Sequence, residues 1–501
     1  MSENYIKKIQ SELVIGLIGA IGTDYNHVAN IIKNQLKRFN YSTHEIKITK
    51  DILSNIFTFD ESKFGNEYER KMALMNFGNR ARKESGDNSI LALGIADNIK
   101  NIRVEIHKSE EDTYEPRPLE KHAFIVNSIK HPDEVHRLRQ IYSNGFYLIG
   151  IHSNEASRTK SLEQSGLSKE QINEITIRDS NEGTDFGQKT QSAFQLSDFF
   201  IYFENDARLK AEISRILDLV FSKPHITPTF DEYAMFMAFS ASLRSADLSR
   251  QVGAVIANNK EIISTGANDC PKFNGGLYWP YYSDKENEIV DEKDGRDYTL
   301  GYDSNKKRIN EIFDEIIKNI PEDLVNRQSI IDNIKKTSLR DIIEFGRPVH
   351  AEMEAILTCS RNNQSTRNTD LFCTTFPCHN CAKHIIASGI KRVVYVEPYP
   401  KSLALSLHND SITTDRNNMT SKVIFEPFSG VGPRKFFDLF SMSLGSGIPV
   451  DRKDKDGNII EWDSNSAFVR LPLNPTSYIE REEESSDSLN SFLEKQSKVK
   501  E

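Results

Sequence analysis

One split motif constrains the fold of this chain more than any other feature of its sequence. Residues 349–352 are Val-His-Ala-Glu, and residues 377–381 are Pro-Cys-His-Asn-Cys. One histidine and two cysteines are ligands of the kind that zinc takes, and they leave its fourth tetrahedral position open to water. The motif therefore predicts a catalytic metal site and a fold that brings two separate segments to one point.

The spacing within each half predicts how the ligands are presented. Cys378 and Cys381 are three residues apart, so they project from one face of a helix, and the helix N-terminus favours their thiolates. His350 and Glu352 are only two apart and reach the same small volume only from the first turn of a helix. Residues 353–357 are good helix formers and support that placement. We therefore expect two helices to direct their N-termini at one metal.

The two halves together resemble the signature of the zinc-dependent nucleoside and nucleotide deaminases, His-x-Glu followed by Pro-Cys-x-x-Cys. The resemblance implies a Zn²⁺ ion held by His350, Cys378 and Cys381, which lowers the pKa of its water to about 7. It implies that Glu352 is the catalytic acid and base. Glu352 would take the proton of the water and pass protons to the cytosine ring and the departing amine.

Other interpretations of the cysteine pair remain open. A Cys-x-x-Cys pair also occurs as a redox motif, and Cys373 or His379 would complete a structural zinc site. Neither interpretation explains the His-x-Glu element that precedes the pair.

Three further residues are predicted to contact the substrate. Strands are expected at 251–257 and 261–265, and they form a hairpin that closes on Gly-Ala-Asn. A similar Gly-x-Asn follows the hairpin in dCMP-type deaminases, so the resemblance implies that Asn268 contacts the sugar; a turn-forming Asn is the alternative. Ala351, inside the motif, and the backbone at Thr375 are predicted to meet the base.

A glycine-rich turn near the N-terminus predicts a second site. Residues 13–22 are an apolar strand that runs into this turn, and a helical stretch follows. Backbone N–H groups in such a turn bind phosphate at a helix N-terminus, which makes Gly16, Gly19, Gly22 and Thr23 candidate nucleotide ligands. The Gly-Lys-Thr ending of a Walker A loop is absent, so we expect nucleotide binding without phosphoryl transfer.

Strands and helices alternate around that turn. Apolar strands are predicted at 123–127, 146–151 and 199–203, with helical segments between them. This alternation predicts a doubly wound parallel sheet. Residues 10–222 resemble the nucleotide-kinase-like P-loop domains, whose ligand would be a second nucleotide.

The length of 501 residues fits two or three domains. We expect an α/β fold in which residues 1–222 form the P-loop-like domain and residues 223–474 a cytidine deaminase-like α/β/α domain. The second domain carries a helical insertion at about 275–345. Residues 475–501 are polar and charged and are expected to be a disordered tail.

Composition limits the partners and the compartment. The net charge of −9 argues against general nucleic-acid binding, and five cysteines are too few for a secreted disulfide framework. No stretch is apolar enough for a signal peptide or a membrane span. We therefore expect a cytoplasmic protein that does not contact membranes.

The combination of both domains resembles the bacterial anti-phage dCTP deaminases along nearly the whole chain. That family converts dCTP and dCMP to uracil nucleotides and so depletes a precursor of phage DNA. The resemblance implies homo-oligomers, with a hexamer expected, and inhibition by a small RNA. Two alternatives remain: a housekeeping dCMP deaminase fused to a nucleotide-binding regulatory domain, and a zinc-stabilised nucleotide- or RNA-binding regulator without catalysis. A polynucleotide deaminase is disfavoured, because a basic and aromatic strand-binding groove is not evident.

Overall fold

The computed structural model describes residues 11–57, 59, 64–110, 117–399, 402–415, 421–473 and 475–499. The chain divides into two compact units. The first contains residues 1–232 and 427–501, and the second contains residues 233–426. Some residues of the predicted domains lie outside the described residues. They are residues 1–10 of the predicted first domain, residue 474 at the predicted domain boundary and residues 500–501 of the predicted tail.

The first unit alternates strands and helices, as its sequence predicts. In chain order these are β1 (Leu13–Gly19), α1 (Tyr25–Leu36), β2 (Ser42–Lys47), α2 (Leu53–Ile56), α3 (Glu67–Ser85), α4 (Ile90–Glu110), β3 (His122–Asn127), α5 (Pro132–Tyr142), β4 (Phe146–Ser153), α6 (Glu155–Gln164), α7 (Lys169–Ser180), α8 (Thr190–Phe194), β5 (Phe199–Phe203) and α9 (Asp206–Val220). The three strands predicted after the glycine turn are confirmed as β3, β4 and β5.

The second unit contains the split motif. Its elements are α10 (Phe230–Ser242), which crosses the boundary, β6 (Gly253–Asn258), β7 (Glu261–Ala267), β8 (Tyr281–Ser283), β9 (Glu288–Val290), α11 (Asp297–Leu300), α12 (Ser304–Lys318), α13 (Arg327–Lys335), α14 (Ala351–Arg361), β10 (Asp370–Thr375), α15 (His379–Ala387), β11 (Arg392–Glu397), α16 (Ala404–Leu407), β12 (Ile412–Thr413) and β13 (Val423–Pro427). The elements that complete the first unit follow: β14 (Gly430–Val431), α17 (Pro433–Phe440) and α18 (Pro475–Val499).

The sheet of the first unit has the order β14-β5-β4-β1-β3-β2. Strands β1 to β5 pair in parallel, and β14 joins the edge of β5 in the antiparallel sense. Strand β1 is central and buried at every residue, as a strand covered on both faces must be. The predicted parallel α/β architecture is confirmed for this unit.

The sheet of the second unit has the order β12-β13-β11-β10-β6-β7. Strands β10 and β11 are parallel, with α15 between them in the chain, while the β6–β7 hairpin pairs antiparallel to β10. Asn259 and Lys260 both have positive φ at the hairpin turn, which is the conformation of a two-residue type I′ turn. The predicted helical insertion contains α11, α12 and α13 and also the short hairpin β8–β9.

Two predicted boundaries were wrong. Residues 427–473 belong to the first unit rather than to the deaminase-like domain. Val431, Leu439, Val469 and Leu471 are buried in the hydrophobic core of the first unit, which supplies the physical reason. No local pattern in the sequence indicates that a two-residue strand returns to a sheet formed more than 200 residues earlier.

The expected disordered tail is instead the helix α18, which packs against α4. Tyr478, Glu482 and Leu489 are buried at helical spacing. Arg103 of α4 is 1% exposed and pairs with Glu482, while its Nη2 lies 3.0 Å from Glu12 Oε2. The polar composition of the segment concealed a helix whose buried face includes a charged residue with a partner.

Among the described helices, none is both long and apolar enough to cross a membrane.

Candidate metal centre

Two helix N-termini carry the four chemically important residues of the motif. His350 is the N-cap of α14, and Glu352 lies in its first turn. Cys378 is the N-cap of α15, and Cys381 lies in its first turn. Strand β10 ends three residues before Cys378, so the cysteines follow the carboxyl end of a strand, where α/β sheets bind their ligands. The predicted arrangement of two converging helix N-termini is confirmed.

The three candidate ligands converge on one point. His350 Nδ1 lies 3.3 Å from the Sγ atoms of both Cys378 and Cys381, and all three donor atoms lie within 4.8 Å of one another. Tetrahedral zinc with ordinary bond lengths would place a nitrogen and a sulfur ligand about 3.6 Å apart. The donor set therefore fits zinc, with one nitrogen and two soft sulfur ligands. Among the described residues, these three are the one group of histidine, cysteine, aspartate or glutamate side chains that is arranged to hold a metal ion.

The electrostatics of the cluster favour the thiolate of Cys378, whereas the hydrogen bond with Cys378 raises the pKa of the Cys381 thiol. The hydrogen bond with Cys381 is the main cause that lowers the pKa of Cys378 to about 4. The Cys381 N–H also donates to Cys378 Sγ at 3.4 Å. Cys378 is consequently a thiolate at neutral pH, which is the form that binds a metal.

A glycine sets the approach of α14 to the sheet. A Cβ atom on Gly266, in β7, would lie 2.1 Å from the carbonyl oxygen of Ala351 and 2.5 Å from the nitrogen of Ala355. Only a residue without a side chain lets β7 pack this closely on the first turn of α14. The predicted Gly-Ala-Asn element therefore positions the helix that carries His350.

Glu352 is placed to handle protons. Its side chain is 5% exposed, and burial is the main cause that raises its pKa. It lies in the same cavity lining as His350 and Cys378. A buried carboxyl group with a raised pKa beside a metal site is a general acid and base candidate.

A cavity of about 360 Å³ opens over the candidate metal ligands. Among the described residues that line this cavity, Arg250 is the one whose side chain has a permanent positive charge. Its guanidinium lies 5.1 Å from the centroid of the Tyr399 ring and 3.6 Å from a carboxylate oxygen of Glu397. Arg250 was not predicted from the sequence, although its position just before the β6–β7 hairpin was a usable signal.

The cavity brings the predicted substrate-binding residues together. Asn268, Ala351 and Thr375 all line it. The Asn268 side chain accepts a hydrogen bond from the Val252 N–H at 2.6 Å and donates one to the Arg250 carbonyl at 2.8 Å. It thus holds the loop before β6, and its role toward a sugar stays a prediction. The Thr375 hydroxyl donates to Glu397 at 3.1 Å, so a substrate would meet the backbone of Thr375 rather than its side chain.

The second predicted site lies in the first unit, and its four residues occupy different positions there. Gly16 is inside β1, where it pairs with β3 and β4, and a Cβ would lie 2.6 Å from Ile129 Cδ1. This glycine serves sheet packing and is not part of the cavity lining beside the turn, so its role as a nucleotide ligand stays a prediction. Gly19 ends β1 beside the turn, while Gly22, with a φ of 87°, and Thr23 form the turn and line a second cavity.

An α/β/α-type domain with a His-Cys-Cys donor set, an adjacent buried glutamate and a cavity defines a zinc-binding catalytic class. Residues 228–397 match the sequence model of the family described as "Cytidine and deoxycytidylate deaminase zinc-binding region". The deoxycytidylate deaminase of Enterobacteria phage T2 is 31% identical over 169 residues, which cover 33% of this chain and 79% of that protein. The chain belongs to the cytidine and deoxycytidylate deaminase family.

Another relative has the same name, and a solved structure was also compared with the chain. The deoxycytidylate deaminase of Mus musculus is 25% identical over 211 residues, which cover 42% of this chain and 81% of that protein. A solved structure of the dCMP deaminase of cyanophage S-TIM5 in complex with dCMP and dUMP is 18% identical. It covers 41% of this chain and 100% of that chain at a TM-score of 0.23, which is too low to add to the assignment.

Proposed function

We propose that the protein hydrolytically deaminates deoxycytidine nucleotides to deoxyuridine nucleotides. The observation that carries this proposal is the convergence of His350, Cys378 and Cys381 within 4.8 Å, with Glu352 lining the same cavity. A structural zinc site would need neither a cavity nor a buried carboxyl group beside the ligands. The phage and mouse relatives are named deoxycytidylate deaminases, which supports a deoxycytidine nucleotide as substrate.

The chain's own residues account for the proton transfers. Bound zinc supplies a nucleophile by lowering the pKa of its water to about 7. The Glu352 carboxylate would take one proton from the attacking water and give it to the ring nitrogen adjacent to C4 while the oxygen forms a bond to C4. Glu352 would then take the second proton from the hydroxyl group now on C4 and pass it to the amino group, so that the C4–N bond breaks, ammonia leaves and a carbonyl remains. His350, Cys378 and Cys381 would hold the metal.

Arg250 supports a nucleotide over a nucleoside. It is the permanent positive charge among the described residues of the cavity lining, and a phosphate group is the part of the substrate that needs one. Its guanidinium contacts Tyr399 and Glu397, and Arg250 lines the same cavity as His350 and Glu352. The proposed substrates are therefore dCTP and dCMP.

The biological role that we propose is depletion of dCTP as a defence against phage, in a homo-oligomer, with a hexamer expected, that a small RNA inhibits. The support for this role is the resemblance of the two-unit chain to the anti-phage dCTP deaminases. A housekeeping dCMP deaminase would share the metal site and differ in substrate and in the effect of expression.

The test is to incubate the zinc-loaded chain with dCTP, dCMP, CTP, CMP and deoxycytidine and to follow the mass increase of about 1 Da that replacement of NH₂ by OH produces. We expect conversion of dCTP and dCMP, and none after chelation until zinc is restored. Conversion of dCMP alone, with an unchanged dCTP pool in expressing cells, would support the housekeeping enzyme. Zinc binding without conversion of any substrate would leave only the non-catalytic regulator.

A further inference from the structure

The glycine turn of the first unit already holds an anion, and this anion is a carboxylate of the chain itself. Asp179, in α7, accepts a hydrogen bond from the Ile21 N–H at 2.9 Å. Its other oxygen lies 2.9 Å from Lys130 Nζ and 3.3 Å from Thr190 Oγ1. Asp179 is 2% exposed. A turn amide between strand and helix, an ammonium group and a hydroxyl are also the donors that proteins use to bind phosphate.

Lys130 replaces the lysine that the turn lacks. Its Nζ donates to the Gly19 carbonyl at 2.9 Å and lies 5.8 Å from the centroid of the Tyr25 ring. Burial acts against the charged form, but Asp179 and Tyr25 leave the pKa of Lys130 raised. The lysine is therefore charged at neutral pH and directed at the turn from the loop that follows β3.

A cavity of about 380 Å³ lies beside this carboxylate. Part of its lining is apolar and includes Ile48, Leu53 and Met75, and another part carries the cations Lys71 and Lys130. A cavity of this size holds a small organic ligand. The combination of an apolar part and a cationic part suits a molecule with a flat, weakly polar ring at one end and an anion at the other.

Two buried polar atoms in the cavity lining are able to bond a ligand. Arg82 is 1% exposed and Gln188 is 8% exposed. Among the described residues, Arg82 Nε and Gln188 Oε1 have no hydrogen-bond partner, although Arg82 Nη2 bonds Glu134 at 2.7 Å. Buried groups of this kind are nearly always paired, so one free donor and one free acceptor fit a ligand with both.

We propose that this cavity binds a phosphomonoester of the nucleoside monophosphate class, whose phosphate replaces the Asp179 carboxylate at Ile21 and Lys130. Asp179 then acts as a competing internal anion that must leave before the phosphate enters. This site is separate from the metal centre, and it does not depend on the proposed deamination. The alternative is that Asp179 is a permanent structural partner of the turn.

The test is isothermal titration calorimetry of the zinc-loaded full chain with AMP, GMP and dTMP, none of which carries cytosine. We expect at least one of them to bind with one site per chain and the parent nucleoside to bind at least tenfold more weakly. Asp179→Asn keeps the size of the side chain but removes its charge, so binding should tighten at least tenfold. Lys130→Met should weaken binding at least tenfold.

The control is Lys210→Met, which makes the same charge change at an exposed position of α9 and should leave binding unchanged. Circular dichroism checks that each variant is folded. The two test variants are expected to change affinity in opposite directions, so loss of folding cannot imitate the result. The proposal is overturned if no monophosphate binds to either the wild-type chain or Asp179→Asn at millimolar concentration. It is also overturned if Asp179→Asn and Lys130→Met bind the monophosphate with equal affinity.

Discussion

Glu352 and His350 are two residues apart in the chain and are expected to have separable roles. The histidine is the N-cap of α14 and faces two cysteine sulfur atoms, whereas the glutamate lies in the first turn of the same helix and lines the cavity. The sequence predicted this division because the motif states both the identity and the spacing of the residues. It did not predict Arg250 or Asp179, because their importance comes from neighbours that are distant in the chain.

The first prediction separates proton transfer from metal binding. Glu352→Ala should keep one zinc per chain and lower the deamination rate by about 10²–10⁴-fold, which is the usual contribution of a general acid and base. His350→Ala should lose zinc and activity together. Metal analysis and ammonia release measure the two properties. Normal ammonia release by Glu352→Ala would show that the assigned mechanism is wrong.

The second prediction concerns Gly266. Gly266→Ala places a Cβ 2.1 Å from the Ala351 carbonyl oxygen, so α14 must move and His350 with it. We expect weaker zinc retention in competition with a chelator, measured by metal analysis. Gly346→Ala is the matched control, because its Cβ would lie 3.4 Å from the nearest atom, the Ile343 carbonyl oxygen, and it should retain zinc. Equal zinc retention in the two variants would contradict this packing argument.

At the scale of elements, the sequence predicted those whose side chains repeat with a clear period. The buried strands β3 and β4 and the metal helix α15 all lie where apolar runs or the motif predicted them. Helix α18 was missed because its buried face mixes apolar residues with serines and Glu482. Composition alone cannot distinguish such a helix from a disordered segment, since the partner that stabilises it is Arg103 in α4.

The third prediction tests whether this ion pair holds α18. Glu482 and Arg103 are each 1% exposed in their side chains, and without Glu482 the buried Arg103 keeps Glu12 as its remaining carboxylate partner. Glu482→Ala should therefore destabilise the first unit by about 1–3 kcal/mol, which is the usual cost of leaving buried donors unsatisfied. Glu483→Ala makes the same charge change at an exposed neighbour and should cost less than about 0.5 kcal/mol. Urea unfolding measures both, and equal stabilities would contradict the assignment.

At the scale of the whole molecule, the second unit is an insertion within the first. The chain leaves the first unit after Glu232 and re-enters it at Pro427. The two connections are close together, because Glu232 Oε1 accepts a hydrogen bond from the Val431 N–H at 2.9 Å. The domain order predicted from the sequence did not include this insertion. Linker composition marks where a domain ends, but it does not show that a later segment of the chain rejoins the first domain.

The fourth prediction follows from that topology. A chain in which a short flexible linker replaces residues 233–426 should fold, because it keeps both parts of the first unit and joins nearby ends. A chain that stops at residue 426 should fail to fold its first unit, since Val431, Leu439, Val469 and Leu471 are missing from the core. Circular dichroism and cooperative thermal unfolding distinguish the two. Cooperative unfolding of the first unit in the truncated chain would contradict the topology.

The insertion also sets the order in which a ribosome can complete the two units. Every residue of the second unit has been synthesised once translation passes residue 426, while the first unit still lacks the strand and helices formed by residues 427–499. Domains fold as their chains emerge, in the order in which they become complete. The unit that carries the candidate zinc ligands is therefore able to reach its final fold before the unit whose translation begins first.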